Sequence, residues 1–282
     1  MNHLVPDYLL PDVLIGSVTV VAAVVFGLHR ALRLTDLAPQ ARRNAFWSGS
    51  ALLVVWFISA LVLSWLGFYQ GAPSSVPTVP FGLLIPVAAG ILLFRRWPVL
   101  RSIIESAPQS WIAGVQLFRV EGAIFLILLA GGWLPGAFAW PAGVGDVLVG
   151  LLAPLVGIAS ARDWRRSSGW LRAWNLLGLA DLAVAVTTGF LTSPSPLQML
   201  ALDRPNQLIT SFPLAMIPVF LVPLAILLHF ASLQKLRQTE SGKRGSSRAT
   251  PARSVLAPLI QNTVNGVANG VAGVDSADAA HQ

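Results

Sequence analysis

Four charged side chains stand alone inside long apolar runs: Arg119 and Glu121 in QLFRVEG, Asp146 in GVGDVLVG, and Asp181 in GLADLAV. Their types allow three kinds of chemistry. An arginine beside carboxylates forms a buried ion pair, surplus carboxylates take up a proton or a cation, and two carboxylates sharing a proton activate water. Gln116 and Asn175, one to two helical turns from Arg119 and Asp181, add neutral hydrogen-bonding groups. Residues two apart point about 200° apart around a helix, so Arg119 and Glu121 face nearly opposite ways. Arg119 shares its face with Gln116, Gly122 and Ala123, whereas Glu121 lies with Leu117, Phe118, Ile124 and Phe125. Asp146 sits among Gly143, Gly145 and Gly150, and Asp181 shares a face with Gly178, Ala185 and Gly189. Small residues let neighbouring backbones approach closely. The expected cluster is therefore Arg119 with Asp146 and Asp181.

Other chemistries are excluded by what the chain lacks. It has no cysteine, which removes disulfides, thiolate nucleophiles and cysteine metal sites. The histidines His3, His29, His229 and His281 are scattered, and none forms an H-x-x-x-H pair, so no metal or cofactor is expected. His29 and His229 fall near the inner ends of apolar runs and read as interfacial residues. No G-x-S-x-G accompanies a histidine. The lysines, Lys235 and Lys243, follow the last apolar run, so none is placed to hold retinal as a Schiff base.

The elements that carry these residues are membrane helices. The chain of 282 residues is 55% hydrophobic and 11% charged, against roughly 25% charged in soluble proteins. A span takes about 20 apolar residues. Seven such runs occur, at 11–30, 46–69, 78–95, 109–131, 137–159, 170–191 and 211–232. Rise along a helix puts Arg119, Glu121, Asp146 and Asp181 within a few ångströms of one depth. Each charge there costs roughly 2.5–3.5 kcal/mol or more. They need one another or water.

Positive charge fixes the expected orientation. Arg30, Arg33, Arg42 and Arg43 follow the first run, Arg95, Arg96 and Arg101 the third, and Arg162, Arg165, Arg166 and Arg172 the fifth. Six more basic residues follow the seventh, while the alternate connections hold Arg204 alone. Basic residues stay cytoplasmic, so the N-terminus is expected outside and the C-terminus inside. The pI near 11 is thus an insertion signal and not a nucleic-acid footprint. Trp47, Trp97, Trp111, Trp164 and Trp170 mark inner ends, and Trp65, Trp133 and Trp140 outer ends. MNHLVPDYLLPD lacks the basic start of a cleaved signal peptide, which predicts a retained first helix. The predominance of arginine over lysine points to a bacterial cytoplasmic membrane. The expected fold class is an all-α, polytopic membrane protein with a seven-helix domain over 1–235 and a disordered cytoplasmic tail over 236–282. PVLRSIIESAP (98–108) gathers Val99, Leu100, Ile103 and Ile104 on one face, suiting a short helix on the inner surface.

Two short matches suggest an internal repeat. Asp12-Val-Leu-Ile-Gly16 is echoed by Asp146-Val-Leu-Val-Gly150, and Ile85-Pro86-Val87 by Ile217-Pro218-Val219, in the same order. Two three-helix units in parallel need a linking helix between them. That layout resembles the 3+1+3 parallel repeat of SWEET-type sugar transporters, in topology only. Pro80 and Pro86 in the third run, with Pro213, Pro218 and Pro223 in the seventh, add interrupted helices whose freed carbonyls could line a cavity. The expected function is a proton- or cation-coupled transporter of a small molecule or ion. One alternative is a membrane sensor or assembly protein whose buried ion pair is structural. A second rests on Gly143-Val-Gly145-Asp146, which is similar to the G-x-G-D motif of presenilin-type and prepilin peptidases. That resemblance implies aspartyl hydrolysis by Asp146 and Asp181. Here the second aspartate lies downstream of the motif, and the families' Tyr-Asp and Pro-Ala-Leu motifs are absent.

Overall fold

The structure, a computed structural model, describes residues 6–240, without the side chains of Trp164 and Arg165. The expected tail over 236–282 falls almost wholly outside that range, as do His3 and His281. The chain divides into two units, Met1–Lys235 and Leu236–Gln282, and the architecture below is that of the first. Among the described residues eight helices follow in order, besides a single 3₁₀ turn at Leu208–Thr210: α1 (Leu9–Leu32), α2 (Pro39–Trp65), α3 (Val79–Arg96), α4 (Pro98–Ser106), α5 (Gln109–Ala130), α6 (Gly136–Arg162), α7 (Trp164–Thr192) and α8 (Ile217–Glu240). No strand occurs among the described residues. All but α4 are long and apolar enough to cross a membrane. The chain is a multi-pass membrane protein.

Its helices are built inside out relative to a soluble bundle. In α6, Val144, Leu148, Leu151, Leu155 and Ile158 recur at four- and three-residue spacing, and all are exposed. The opposite face buries Gly143, Asp146, Gly150, Ala153 and Gly157. Large apolar side chains look outward, where only lipid can cover them, and small or charged ones look inward. Helices without bulk on their inner face come close. A Cβ on Gly150 would fall 2.7 Å from the backbone nitrogen of Val120, and one on Gly157 3.1 Å from the carbonyl oxygen of Ser110. α5, α6 and α7 make a tight trio on this account. α8 is the most enclosed span, and its Phe220 ring meets Trp56 and Phe57 of α2 at 4.8 and 5.2 Å.

The two ends of the bundle differ. At one end α4 turns Ile103 and Ile104 inward against Leu28, Ala31 and Leu32 of α1, Phe46 of α2, Phe94 of α3 and Ala231 of α8. The apolar face read from the sequence therefore packs on helix ends as well as marking a surface helix. Lys235 Nζ donates to the carbonyls of Ile104 and Glu105, closing that end. At the other end three connections are stitched together. Gly71 N donates to Thr210 Oγ1 at 3.1 Å, Asn206 N donates to the carbonyl of Thr192 at 2.8 Å, and Arg204 donates to the carbonyl of Gly132.

Two spans depart from regular helix. α5 is α-helical over Gln109–Gly114, a 3₁₀-helix over Val115–Gly122, and α-helical again over Ala123–Ala130. α8 begins with a π turn over Ile217–Leu221 that contains Pro218, so Ser211 to Met216 belong to a connection and not to the expected span. Pro218 and Pro223 lack amide hydrogens, which prevents a regular start to this helix. Pro86, its counterpart in the suggested repeat, stays inside the helix α3.

Candidate functional site

The 3₁₀ segment determines which side chains meet. Residues three apart eclipse in such a helix. Gln116, Arg119 and Gly122 therefore form one straight row, and it is this row that the segment buries. Gly122 lets α6 in close, since a Cβ there would run into the side chain of Asp146. The carbons of Phe118 and the carboxyl of Glu121 form a second row. Glu121 lies against Gly16 of α1, away from the first row, as the opposed faces of Arg119 and Glu121 require. Asp12, one turn earlier on α1, is close enough to interact electrostatically with Glu121.

Arg119 is 3% exposed and bonds to three other helices at once. Its Nε donates to Asp146 Oδ1 at 2.8 Å, and Nη2 lies 2.7 Å from the same oxygen. Nη2 also donates to Asp181 Oδ2. Nη1 donates to the carbonyl of Gly178 at 3.3 Å and to His229 Nε2 at 3.1 Å. A guanidinium only donates, so Nε2 carries a lone pair and His229 is neutral, with its proton on Nδ1. That proton goes to Asn175 Oδ1, 3.0 Å away. The amide of Asn175 then donates to the carbonyl of Leu171 at 2.7 Å and to Ser232 Oγ at 2.8 Å. Gln109 Nε2 donates to the same hydroxyl at 2.5 Å. A continuous polar string thus runs from Arg119 to Gln109, at the α4 end of the bundle.

The structure brings Arg119, Asp146 and Asp181 into one ion triad, with Asn175 a bonded neighbour through His229. Gln116 lies one turn along, its Nε2 donating to the carbonyl of Ala225 at 3.1 Å while its Oε1 is buried without a partner. Glu121 is outside the triad, and its Oε1 is likewise buried and unpartnered. The expectation for His229 is corrected. It is fully buried beside Arg119, with its ring 4.9 Å from that of Trp174, because α8 continues past residue 232 and places it within the span. His29 is exposed at its helix end, edge-on to Phe46 at 5.5 Å. The sequence signal for His229 was its row with Ala225 and Ser232, a small and polar stripe in an apolar span.

One guanidinium faces two carboxylates, and Arg119 engages only Oδ1 of Asp146. Oδ2 accepts no hydrogen bond from the described residues. Asp146 is among the residues that line a cavity of about 350 Å³. The cavity starts between the connections at the end opposite α4, near Tyr69, Thr78, Ser195 and Thr210, and passes Phe138, Ala185 and Ile217 to reach Asp146. Burial pushes the Tyr69 phenol up from its ordinary value, so it stays a neutral donor. Arg119 Nη2 stands between Asp146 and Asp181. A guanidinium therefore occupies the place where a hydrolytic aspartate pair would share its proton. No group of metal-ligating side chains occurs among the described residues.

The glycines of the two repeated motifs, Gly16 and Gly150, both pack against the 3₁₀ segment, from α1 and α6. Residues 76–237 match a family model described as Domain of unknown function (DUF8737), which spans more than half of the chain and includes Arg119, Asp146, Asp181 and His229. No curated protein matches, and no solved structure does.

Proposed function

The chain belongs to the DUF8737 family, and we propose that it is a proton- or cation-coupled transporter of a small molecule, with Asp146 as the group where coupling occurs. The observation that carries this reading is a cavity lined, deep among the spans, by an aspartate belonging to an undercompensated ion triad. Ionisable groups at such depth commonly serve ion or proton pathways. The cavity meets the triad at Asp146, and a pocket of only about 20 Å³ adjoins Arg119, Gly122 and Asp146 elsewhere. On the other side, the Gln109–Ser232–Asn175–His229 string and the apolar cluster around α4 fill the bundle. That asymmetry fits one state of an alternating-access carrier. The basic residues gather at the closed end, which supports a cytoplasmic location for it, an external N-terminus and insertion in a bacterial cytoplasmic membrane.

A specific observation favours a second reading. Every nitrogen of the Arg119 guanidinium is engaged, and its partners lie on α6, α7 and α8. A purely structural clamp in a sensor or assembly protein would look the same from the side of the arginine. The two readings part on Asp146→Asn and Asp181→Asn, which keep size and acceptor oxygens but remove a titratable charge. The test uses purified full-length protein in liposomes with an imposed pH gradient and a pH-sensitive dye inside. Coupling predicts proton flux in the wild type on addition of substrates from a broad metabolite panel, and its loss in Asp146→Asn with folding retained. No flux in the wild type, together with full function of both asparagine variants in cells, would leave the structural clamp.

A further inference from the structure

The walls of the cavity restrict what can enter it. Tyr69, Phe125, Phe138 and Phe190 present aromatic surface, and Leu83, Val186, Ile209 and Ile217 present aliphatic surface. Four of the wall hydroxyls are already engaged with the backbone, while those of Tyr69 and Thr187 make no hydrogen bond among the described residues. Thr78 Oγ1 donates to the carbonyl of Phe68, Ser193 Oγ to that of Gly189, and Thr210 Oγ1 to that of Gln207. Ser195 Oγ accepts from Leu197 N at 3.2 Å. A sugar or another polyhydroxylated solute would leave most of its own hydroxyls unpaired in this space, at about 1–3 kcal/mol for each. Asp146 is the charged residue of this lining, and its Oδ2, packed toward Gly122, accepts no hydrogen bond from the described residues. Aromatic faces with a single carboxylate oxygen form a receptor for a cation.

We propose that the ligand of this cavity is a lipophilic organic cation, an apolar or aromatic body carrying one protonated amine that seats on the Asp146 carboxyl. This rests on the transporter reading and names its substrate class. The amine and a proton then compete for one carboxyl, so each entry of the cation releases a proton and the exchange is electroneutral. The charged and titratable groups around that carboxyl are Arg119 on α5, Asp181 on α7 and, through Arg119, the neutral His229 on α8. Glu121 lines a small pocket together with Arg119 and Asp146, its carboxyl turned to Gly16 of α1, with Asp12 one turn earlier on that helix.

The experiment is equilibrium binding to the full-length protein in lipid nanodiscs, with three probes of one body: 4-phenylbutylammonium, 4-phenylbutan-1-ol and 4-phenylbutanoate. The ammonium is expected to bind about tenfold or more tighter than the alcohol, and the carboxylate weakest. Lowering the pH should weaken ammonium binding by at most about tenfold per unit and leave the alcohol unchanged. Asp146→Asn should bring ammonium and alcohol to parity. Ala185→Phe, which fills the cavity one turn from Asp181 and keeps all three charges, should block both even if the asparagine variant folds poorly. Equal binding of ammonium and alcohol by the wild type would overturn the proposal and leave a cavity that holds lipid chains. A preference that survives Asp146→Asn, or resists Ala185→Phe, would overturn it as well. Ammonium selectivity without proton flux in liposomes would sink the transport reading alone, and flux without that selectivity the substrate class alone.

Discussion

Replacing Arg119 by lysine separates charge from geometry. The guanidinium makes five donor contacts: two with Asp146 Oδ1, one each with Asp181, the carbonyl of Gly178 and His229 Nε2. A lysine offers three donors on one nitrogen and no planar fork. At least two contacts are lost, and buried hydrogen bonds from a charged donor contribute about 1–2 kcal/mol each here, for a loss of about 2–4 kcal/mol. Arg119→Leu removes the charge too, which leaves two buried carboxyls unpaired and adds about 3–5 kcal/mol unless they take up protons. The assay is reversible unfolding in mixed micelles, followed by far-ultraviolet circular dichroism. The expected order is wild type, then lysine, then leucine, with Arg119→Leu regaining stability when Asp181 is also made leucine. A lysine variant within about 0.5 kcal/mol of wild type would refute the assignment of all five contacts. A leucine variant no worse than lysine would refute the ion triad itself.

Gly150→Ala should destabilise by about 1–3 kcal/mol, because its Cβ meets the backbone of Val120, which cannot swing aside. Gly27→Ala is the control, since nothing lies near that position, and it should be neutral or stabilising by about 0.5–1 kcal/mol. Tyr69 is one of two tyrosines, so the difference in ultraviolet titration between wild type and Tyr69→Phe isolates it, with a midpoint expected above the ordinary 10. Burial of the neutral phenol stabilises the fold fully below pH 10, and that contribution is lost as the pH rises past the elevated value; a midpoint at or below 10 would place Tyr69 in water. Reporters fused after Gln70 or Thr192 should prove external, and those after Ala161 or Lys235 cytoplasmic; a reversal at any site would undo the orientation.

Much of this architecture was legible because lipid imposes a coarse rule. Seven apolar runs give seven spans, and rise per residue brings Arg119, Asp146 and Asp181 to one level, where the structure has them in contact. Glycines beside each aspartate told which faces meet. His229 was misread for a physical reason. Hydropathy falls off gradually at the end of α8, and ending the span at 232 instead of Glu240 moves a buried residue to the edge. The 3₁₀ stretch was invisible to periodicity, since eight residues make between two and three turns of either winding and hold too few polar positions to mark a face. Only the three-residue spacing of Gln116, Arg119 and Gly122 hinted at it. The cavity was not readable at all. It depends on where the connection after α7 folds, and no pattern in LTSPSPLQ specifies that.

The 3₁₀ segment also acts as a screw thread. Eight residues at about 2.0 Å each are about 4 Å longer than the same eight at about 1.5 Å, and they carry about 160° more winding. A return of Val115–Gly122 to ordinary winding would therefore draw the Gln109 end of α5 toward the Ala130 end while turning one against the other. Arg119 sits in the middle of this thread, pinned to α6, α7 and α8. The contacts that neutralise its charge thus also tie the length of this helix to the three helices around it, so that axial stroke and rotation are coupled at one side chain.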